Sequence, residues 1–334
     1  MSRLRIGLVF ECLEGLARRS GEPSDVLAEY EPESTIAALE DAIRELGHQP
    51  VRLGAPADLL ARAAKGEGQR VDAALDIAEG ERTRNREAWA PVLLEMQGVP
   101  ALGSDALTLS LSLDKAWTKD VVAAAGVPVA PHVSVESPDD AAAAAGAAAL
   151  GLPLFVKPRW EGTSKGIRGS SKVASREALA AEVARIVRDY DQPALVEPFL
   201  PGAEYTVCVV GTPPRALPAL QRALDQATGI GVHALAHAEP DAARVHTTPG
   251  DLTPALEAEL AAHSVAAFRA LRCRDFARVD WKCDAAGRPR FLEINPLPTF
   301  ATDGSFAILA ELSGVTYAAF LARVLEEGLR RLGL

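Results

Sequence analysis

The chain has 334 residues, 48% of them apolar and 24% charged, long enough for two or three filled cores and too apolar for global disorder. A net charge of -10 argues against a nucleic-acid or anionic-membrane partner, and no apolar run is long enough to span a bilayer. Cys12, Cys208, Cys273 and Cys283 form no CxxC pair, which suits a reducing, cytoplasmic compartment better than a disulfide framework.

From the N-terminus, LRIGLVF reads as a strand rather than a cleavable leader, because acidic Glu11 follows it directly. PESTIAALEDAIRELGHQ spaces Ile36, Leu39, Ile43 and Leu46 for one helical face, with Ser34 as N-cap and Gly47 as stop. VRLG is a second strand, so the opening is a βαβ unit and implies a parallel sheet. VDAALDIA gives a third strand, a helix covers about 91–98, and VPALGS closes a first domain near Ser104. One helix is expected over LSLDKAWTKDVVAAAG, then a strand in PHVSVES, an alanine-rich helix, and the strand PLFVKP. A loop rich in Gly, Ser and Thr, EGTSKGIRGSSKV, leads into another strand, followed by the helix REALAAEVARIVRDY and the strands PALVEPFL and AEYTVCVVG. ALDQATGIGVHALAHAEPDAARVH reads as irregular, PALEAELAAHSVAAFRALR as a helix, and Tyr317 to about Leu332 as the last helix. The expected divisions are 1–104, 105–190 and 191–334.

Between the last two helices, FARVDWKC and FLEIN are joined by a turn at DAAGR, with Gly287 free to take positive φ. Strand alternation puts Arg278, Asp280 and Lys282 on one face, and Glu293 with Asn295 on one face, leaving Leu292 and Ile294 opposite. Closing the hairpin sets Asp280 across from Glu293. Like charges so placed are destabilising unless a cation joins them, and hard oxygen donors suit Mg²⁺. The same pattern equally suits a solvated polar face neutralised by Arg278 and Lys282.

Elsewhere, Lys157 ends a strand before the loop in which Glu161, Thr163 and Ser164 stand among glycines able to approach phosphate oxygens. That loop lacks the GxxxxGK[ST] pattern. Lys115 and Lys119 lie one helical turn apart, and Glu197 and Glu204 flank a Pro-Gly turn where they can accept hydrogen bonds from a base or ribose. His233 and His237 have zincin spacing, but Ala234 stands where a general-base Glu is needed. No GxGxxG follows the first strand, which argues against a dinucleotide-dependent oxidoreductase.

In order, LDKAWTK, FVKPRWEGTSKGI, LVEPFLPGAEYTV, FARVDW and FLEINPLP resemble the ATP-grasp superfamily, and most of all its D-alanine–D-alanine ligase branch, over about residues 72–330. The resemblance implies an α/β ATP-grasp fold in three parts: a parallel N-terminal βαβ domain and two α+β subdomains enclosing a nucleotide. It implies ATP and two Mg²⁺ as cofactors, with Asp280, Glu293 and Asn295 as metal ligands. Lys115, Lys157 and the loop carrying Glu161, Thr163 and Ser164 would contact the nucleotide's phosphates or adenine, and Glu197 and Glu204 its adenosine. Arg278 would stabilise the acyl phosphate and the tetrahedral intermediate, and the backbone N–H of Thr299 would donate to the oxyanion.

The implied reaction makes an acyl phosphate from a carboxylate and ATP, and an amine then displaces phosphate to form an amide. The partners are therefore a small carboxylate and a small amine, with a homodimer left open. Three motifs depart from the branch. Its glycine-rich first loop with a Glu-Arg-Glu run is replaced by FECLEGLARRSGEPSDVLAEYE, where Glu11 or Glu14 is the candidate for a substrate ammonium. Gln221 to Glu239 lacks the Lys-Tyr pair of the mobile loop. Pro298 is followed by Thr299 instead of Gly, and the serine position falls near Asp303 to Ser305. The expectation is a ligase with a substrate pair other than two D-alanines, and the alternative is a non-ligating nucleotide-binding regulator or scaffold.

Overall fold

The computed structural model describes residues 3–68, 70–238 and 244–334. Its first layer holds strands β1 (Arg5–Val9), β2 (Gln49–Gly54), β3 (Ala73–Asp76) and β4 (Ala101–Leu102), parallel and in the order β2-β1-β3-β4. Helices α1 (Glu33–Glu45), α2 (Pro56–Ala64) and α3 (Trp89–Met96) connect them. Helix α1 begins earlier than Ser34 predicts. Pro32 is its N-cap, and the Glu14 carboxylate accepts from Glu33 N at 3.1 Å, filling a donor that the first turn leaves open. Gly47 stops the helix at φ 79°.

The single helix expected over LSLDKAWTKDVVAAAG is two, α4 (Ala106–Leu113) and α5 (Lys115–Ala124). Asp114 breaks it by adopting extended backbone and capping Trp117 N. The middle layer contains β5 (Val133–Val135), α6 (Ala141–Ala149), β6 (Leu154–Pro158), β7 (Lys172–Val173), α7 (Arg176–Tyr190) and β8 (Ala194–Pro198). Its sheet is antiparallel in the order β5-β8-β6-β7. The middle layer thus runs past the expected break near residue 190, because β8 is one of its inner strands.

The third layer adds β9 (Glu204–Val210), β10 (Arg215–Ala216), β11 (Leu220–Arg222), β12 (Leu224–Asp225), α8 (Val232–Ala238) and β13 (His246–Thr247). After these come α9 (Pro254–Ala270), β14 (Phe276–Cys283), β15 (Pro289–Asn295), α10 (Ser305–Leu312) and α11 (Tyr317–Leu332). The segment expected to be irregular therefore holds α8 and a short β12–β13 ladder; residues 239–243 within it lie outside the described residues. Strands β10, β9, β14 and β15 form an antiparallel sheet, with β11 also paired to β9. Val279, Trp281, Phe291 and Ile294 fill the core beneath it. Helix α11 returns to the first layer, where Leu321, Leu325 and Leu329 share a core with Ile36, Leu39 and Ile43 of α1. Asp275, fully buried, locks this return by accepting from Arg331 Nε at 2.6 Å and from Gly103 N at 2.8 Å.

Candidate active site

A cleft of about 450 Å³ opens between the middle and third sheets, with residues 28–32 of the first layer along one side. The β14–β15 hairpin faces it. Asp280 pairs with Glu293 across the ladder, as alternation predicts, and Arg278 pairs with Asn295. One step further the register shifts, so that Trp281 meets Phe291 and Leu292 has no partner of its own. This bulge overturns the expectation that Leu292 points away: both Leu292 and Glu293 line the cleft.

The facing carboxylates are neutralised, though not by the pair the sequence suggests. Glu293 Oε2 lies 3.2 Å from Lys115 Nζ, and Asp280 Oδ2 lies 3.0 Å from Arg278 Nη2. Lys282 instead meets Glu204 at 3.1 Å. Burial pushes the Glu293 carboxyl up, but Lys115, Lys157 and Arg278 outweigh it and hold the group down to about 2. Asp280 Oδ1 also accepts from Thr206 Oγ1 at 2.7 Å, and Asn295 Nδ2 stands 3.4 Å from Asp280 Oδ2. Two carboxylates and an amide oxygen make a hard donor set that fits Mg²⁺ sharing its shell with phosphates. Among the described residues no cluster of three or more His, Cys, Asp or Glu could cage a metal unaided.

Deeper in the cleft, Glu197 sits between two lysines, with Oε1 2.6 Å from Lys119 Nζ and Oε2 2.9 Å from Lys157 Nζ. Burial raises its carboxyl, and the two ammonium groups more than reverse this, to about 2. Lys119 also donates to Phe291 O at 2.9 Å, so it is a core strut between α5 and β15 rather than a second cleft cation. Glu204 faces both Lys282 and His233, the latter at 3.4 Å.

The glycine-rich loop lies over the cleft with Thr163 at φ 46° and Ser164 at φ 58°, left-handed values that non-glycine residues seldom hold without support. The support comes from the first layer. Glu29 Oε1 accepts from Gly162 N at 2.6 Å, Glu29 Oε2 accepts from Lys165 Nζ at 2.6 Å, and Asp25 Oδ2 accepts from Gly166 N at 2.8 Å. Arg86 joins Glu29 at 2.5 Å, and Glu161 Oε2 meets Lys165 at 2.5 Å. Lys115 Nζ donates to Glu161 O, tying the loop to the hairpin through Glu293.

At the other end, Thr299 and Asp303 line the cleft, while Ser305 is buried and accepts from Arg222 Nη2 at 2.6 Å. Burial raises the Glu31 carboxyl there against hydrogen bonds from Thr299, Thr35 and Phe300 N. Glu11 and Glu14, the sequence candidates for a substrate ammonium, do not line the cleft. Glu11 accepts from Glu79 N at 3.0 Å, and Glu14 is spent on α1. The acidic residues that do reach the cleft from this part of the chain are Glu29 and Glu31, which sequence reasoning missed along with Arg222.

The three sheets and the cleft between two of them define an ATP-grasp fold. Solved structures of that fold match over nearly the whole chain. A D-Ala:D-Ser ligase from Enterococcus faecalis has a TM-score of 0.74 at 18% identity, covering 98% of this chain and 100% of that one. D-alanine–D-alanine ligase from Bacillus anthracis, complexed with ATP, has a TM-score of 0.71 at 22% identity, covering 99% and 98%. The family described as D-ala D-ala ligase C-terminus matches residues 121–326. A D-alanine–D-alanine ligase of Laribacter hongkongensis is 35% identical over 274 residues, 81% of this chain and 83% of that one. An uncharacterized protein of Sinorhizobium fredii is 31% identical over 352 residues, 98% of each chain. The chain belongs to the D-alanine–D-alanine ligase family and is an ATP-grasp ligase. None of these comparisons favours the alternative of a non-ligating regulator or scaffold. Among the described residues, no single helix is long and apolar enough to cross a membrane.

Proposed function

We propose that the cleft joins a small carboxylate to a small amine at the expense of ATP, through an acyl phosphate, with a substrate pair other than two D-alanines. The observation that carries this is the opposition of Asp280 and Glu293 on one hairpin, with Asn295 beside them and Lys115, Lys157 and Arg278 around them. Magnesium, when bound to Asp280, Glu293 and Asn295, supplies charge neutralisation for the phosphoryl group. Lys115 and Lys157 hold phosphate oxygens, the loop bearing Glu161, Thr163 and Ser164 covers them, and Glu197 and Glu204 meet the adenosine. Arg278 steadies charge on the acyl phosphate and on the tetrahedral intermediate. Thr299 offers its backbone N–H to the oxyanion; that N–H has no acceptor among the described residues. The loop and the hairpin together exclude water from the acyl phosphate, which water would otherwise hydrolyse.

A substrate pair unlike the family's is supported by Thr299 in place of glycine and by Glu31, which lines the cleft at the same end. An ADP-release screen over D- and L-amino acids, dipeptides and related acids, with product masses, tests the reading. Release that requires Mg²⁺, an acid and an amine, and that Glu293→Gln abolishes, is the expected result. Equal release by wild type and Glu293→Gln across the panel overturns it.

A further inference from the structure

Arg222 ends β11 and lines the cleft. Every other lysine or arginine that lines it has a carboxylate within 4.0 Å. Arg222 has none among the described residues. Its Nε donates to Thr206 Oγ1 at 3.2 Å and its Nη2 to Ser305 Oγ at 2.6 Å, both uncharged acceptors. These two hydroxyls fix the guanidinium without neutralising it. In a recess partly shielded from water, an uncompensated guanidinium favours an anion, and its planar fork matches a carboxylate in two-point contact.

The position narrows the choice of anion. Thr206 separates Arg222 from Asp280, so Arg222 stands one hydroxyl away from the carboxylates assigned to the metal. Its other fixed neighbour, Ser305, opens α10, at the end of the cleft lined by Thr299 and Asp303. That end lies where the chain departs from the family's motifs. Arg278 is assigned to the acyl phosphate, and its Nε and Nη2 both lie 3.0 Å from Asp280 Oδ2, so it is already charge-compensated where Arg222 is not.

We propose that Arg222 is a specificity-determining residue that binds a substrate carboxylate taking no part in bond making. The proposal rests on the ligase reading for its kinetics but not for its binding test. In the binding test, the Arg222 Nε–H resonance, assigned by its loss in Arg222→Lys, is followed by NMR during titration with sodium acetate and, separately, with Mg·ATP. Acetate is expected to shift it and Mg·ATP to leave it in place. No shift with acetate overturns the proposal, and a shift with Mg·ATP alone assigns the guanidinium to phosphate instead. In the kinetic test, the amine substrate found by the screen is compared with an analogue whose free carboxylate is an amide. Arg222→Met is expected to raise the KM of the free acid about 10- to 100-fold, the range for a charged hydrogen-bonded pair, and to leave the amide analogue and the KM of ATP unchanged. Arg222→Lys, which keeps the charge and loses the fork, falls between. Equal effects on acid and amide analogues, or an effect confined to ATP, overturn the proposal. A wild type without ligation on any substrate refutes the ligase reading while leaving the NMR result to stand or fall alone.

Discussion

Replacing Glu197 with Gln keeps the shape of the side chain and removes the charge between Lys119 and Lys157. Lys119 is the more exposed to this loss in energetic terms, because its side chain has no accessible surface and only Phe291 O remains as a partner. Losing one partner of a buried pair costs about 3–5 kcal/mol. A ceiling follows from the lysine itself, which can shed its proton. From its ordinary value of 10.5, deprotonation at pH 7 costs about 5 kcal/mol at 1.36 kcal/mol per unit. At pH 9.5 the same step costs only about 1.4 kcal/mol. The folded-state value of Lys119 falls below the unfolded one, so the deficit is full at pH 7 and fades as pH rises toward 10.5. Urea unfolding of wild type and Glu197→Gln at pH 7 and 9.5 measures it, and Lys119→Met in the Glu197→Gln background should recover most of the loss. A loss that does not shrink with pH, or a double variant less stable than the single, refutes the reasoning.

In the wild type, the Glu197 carboxyl is held at about 2 against an ordinary 4.5, so about 3 kcal/mol present above pH 4.5 should drain away as pH falls toward 2. Acid unfolding of wild type beside Glu197→Gln reads this as a narrowing gap. Gly328→Ala places a Cβ 2.7 Å from Asp275 Oδ2 and from Leu102 Cδ2, where Arg331 and Gly103 already pin the carboxylate. A loss of about 1–3 kcal/mol, seen as a lower Tm, is expected. Glu14→Ala should leave the KM of both substrates unchanged while lowering Tm slightly, through the lost hydrogen bond to the start of α1.

The hairpin is legible in the sequence because strand alternation and a short turn leave little freedom, and the pairing of Asp280 with Glu293 follows from the position of Gly287. Alternation also misleads, since a register shift of one residue turns Leu292 to the cleft and has no signature in the sequence. The break between α4 and α5 does have one: Asp114 is a good N-cap placed inside a helical pattern. Glu29 and Asp25 are not legible. They act across more than 130 positions, from a stretch of turns without periodicity, on backbone groups that no side-chain pattern reveals. Glu11 and Glu14 stand out for their nearness to the end of β1, but nearness along the chain does not decide which carboxylates are consumed by local N–H groups.

The glycine-rich loop is held by residues that the family's matched segment, 121–326, does not include: Asp25, Glu29 and Arg86. Its shape is therefore a joint property of two distant stretches of chain. A relative that loses the acid at position 29 leaves Lys165 with Glu161 as its remaining carboxylate and Gly162 N without its acceptor. Substitutions at 25, 29, 86 and 165 are consequently expected to travel together through descent, and a segment transplanted without its first layer would carry the loop's letters but not its form.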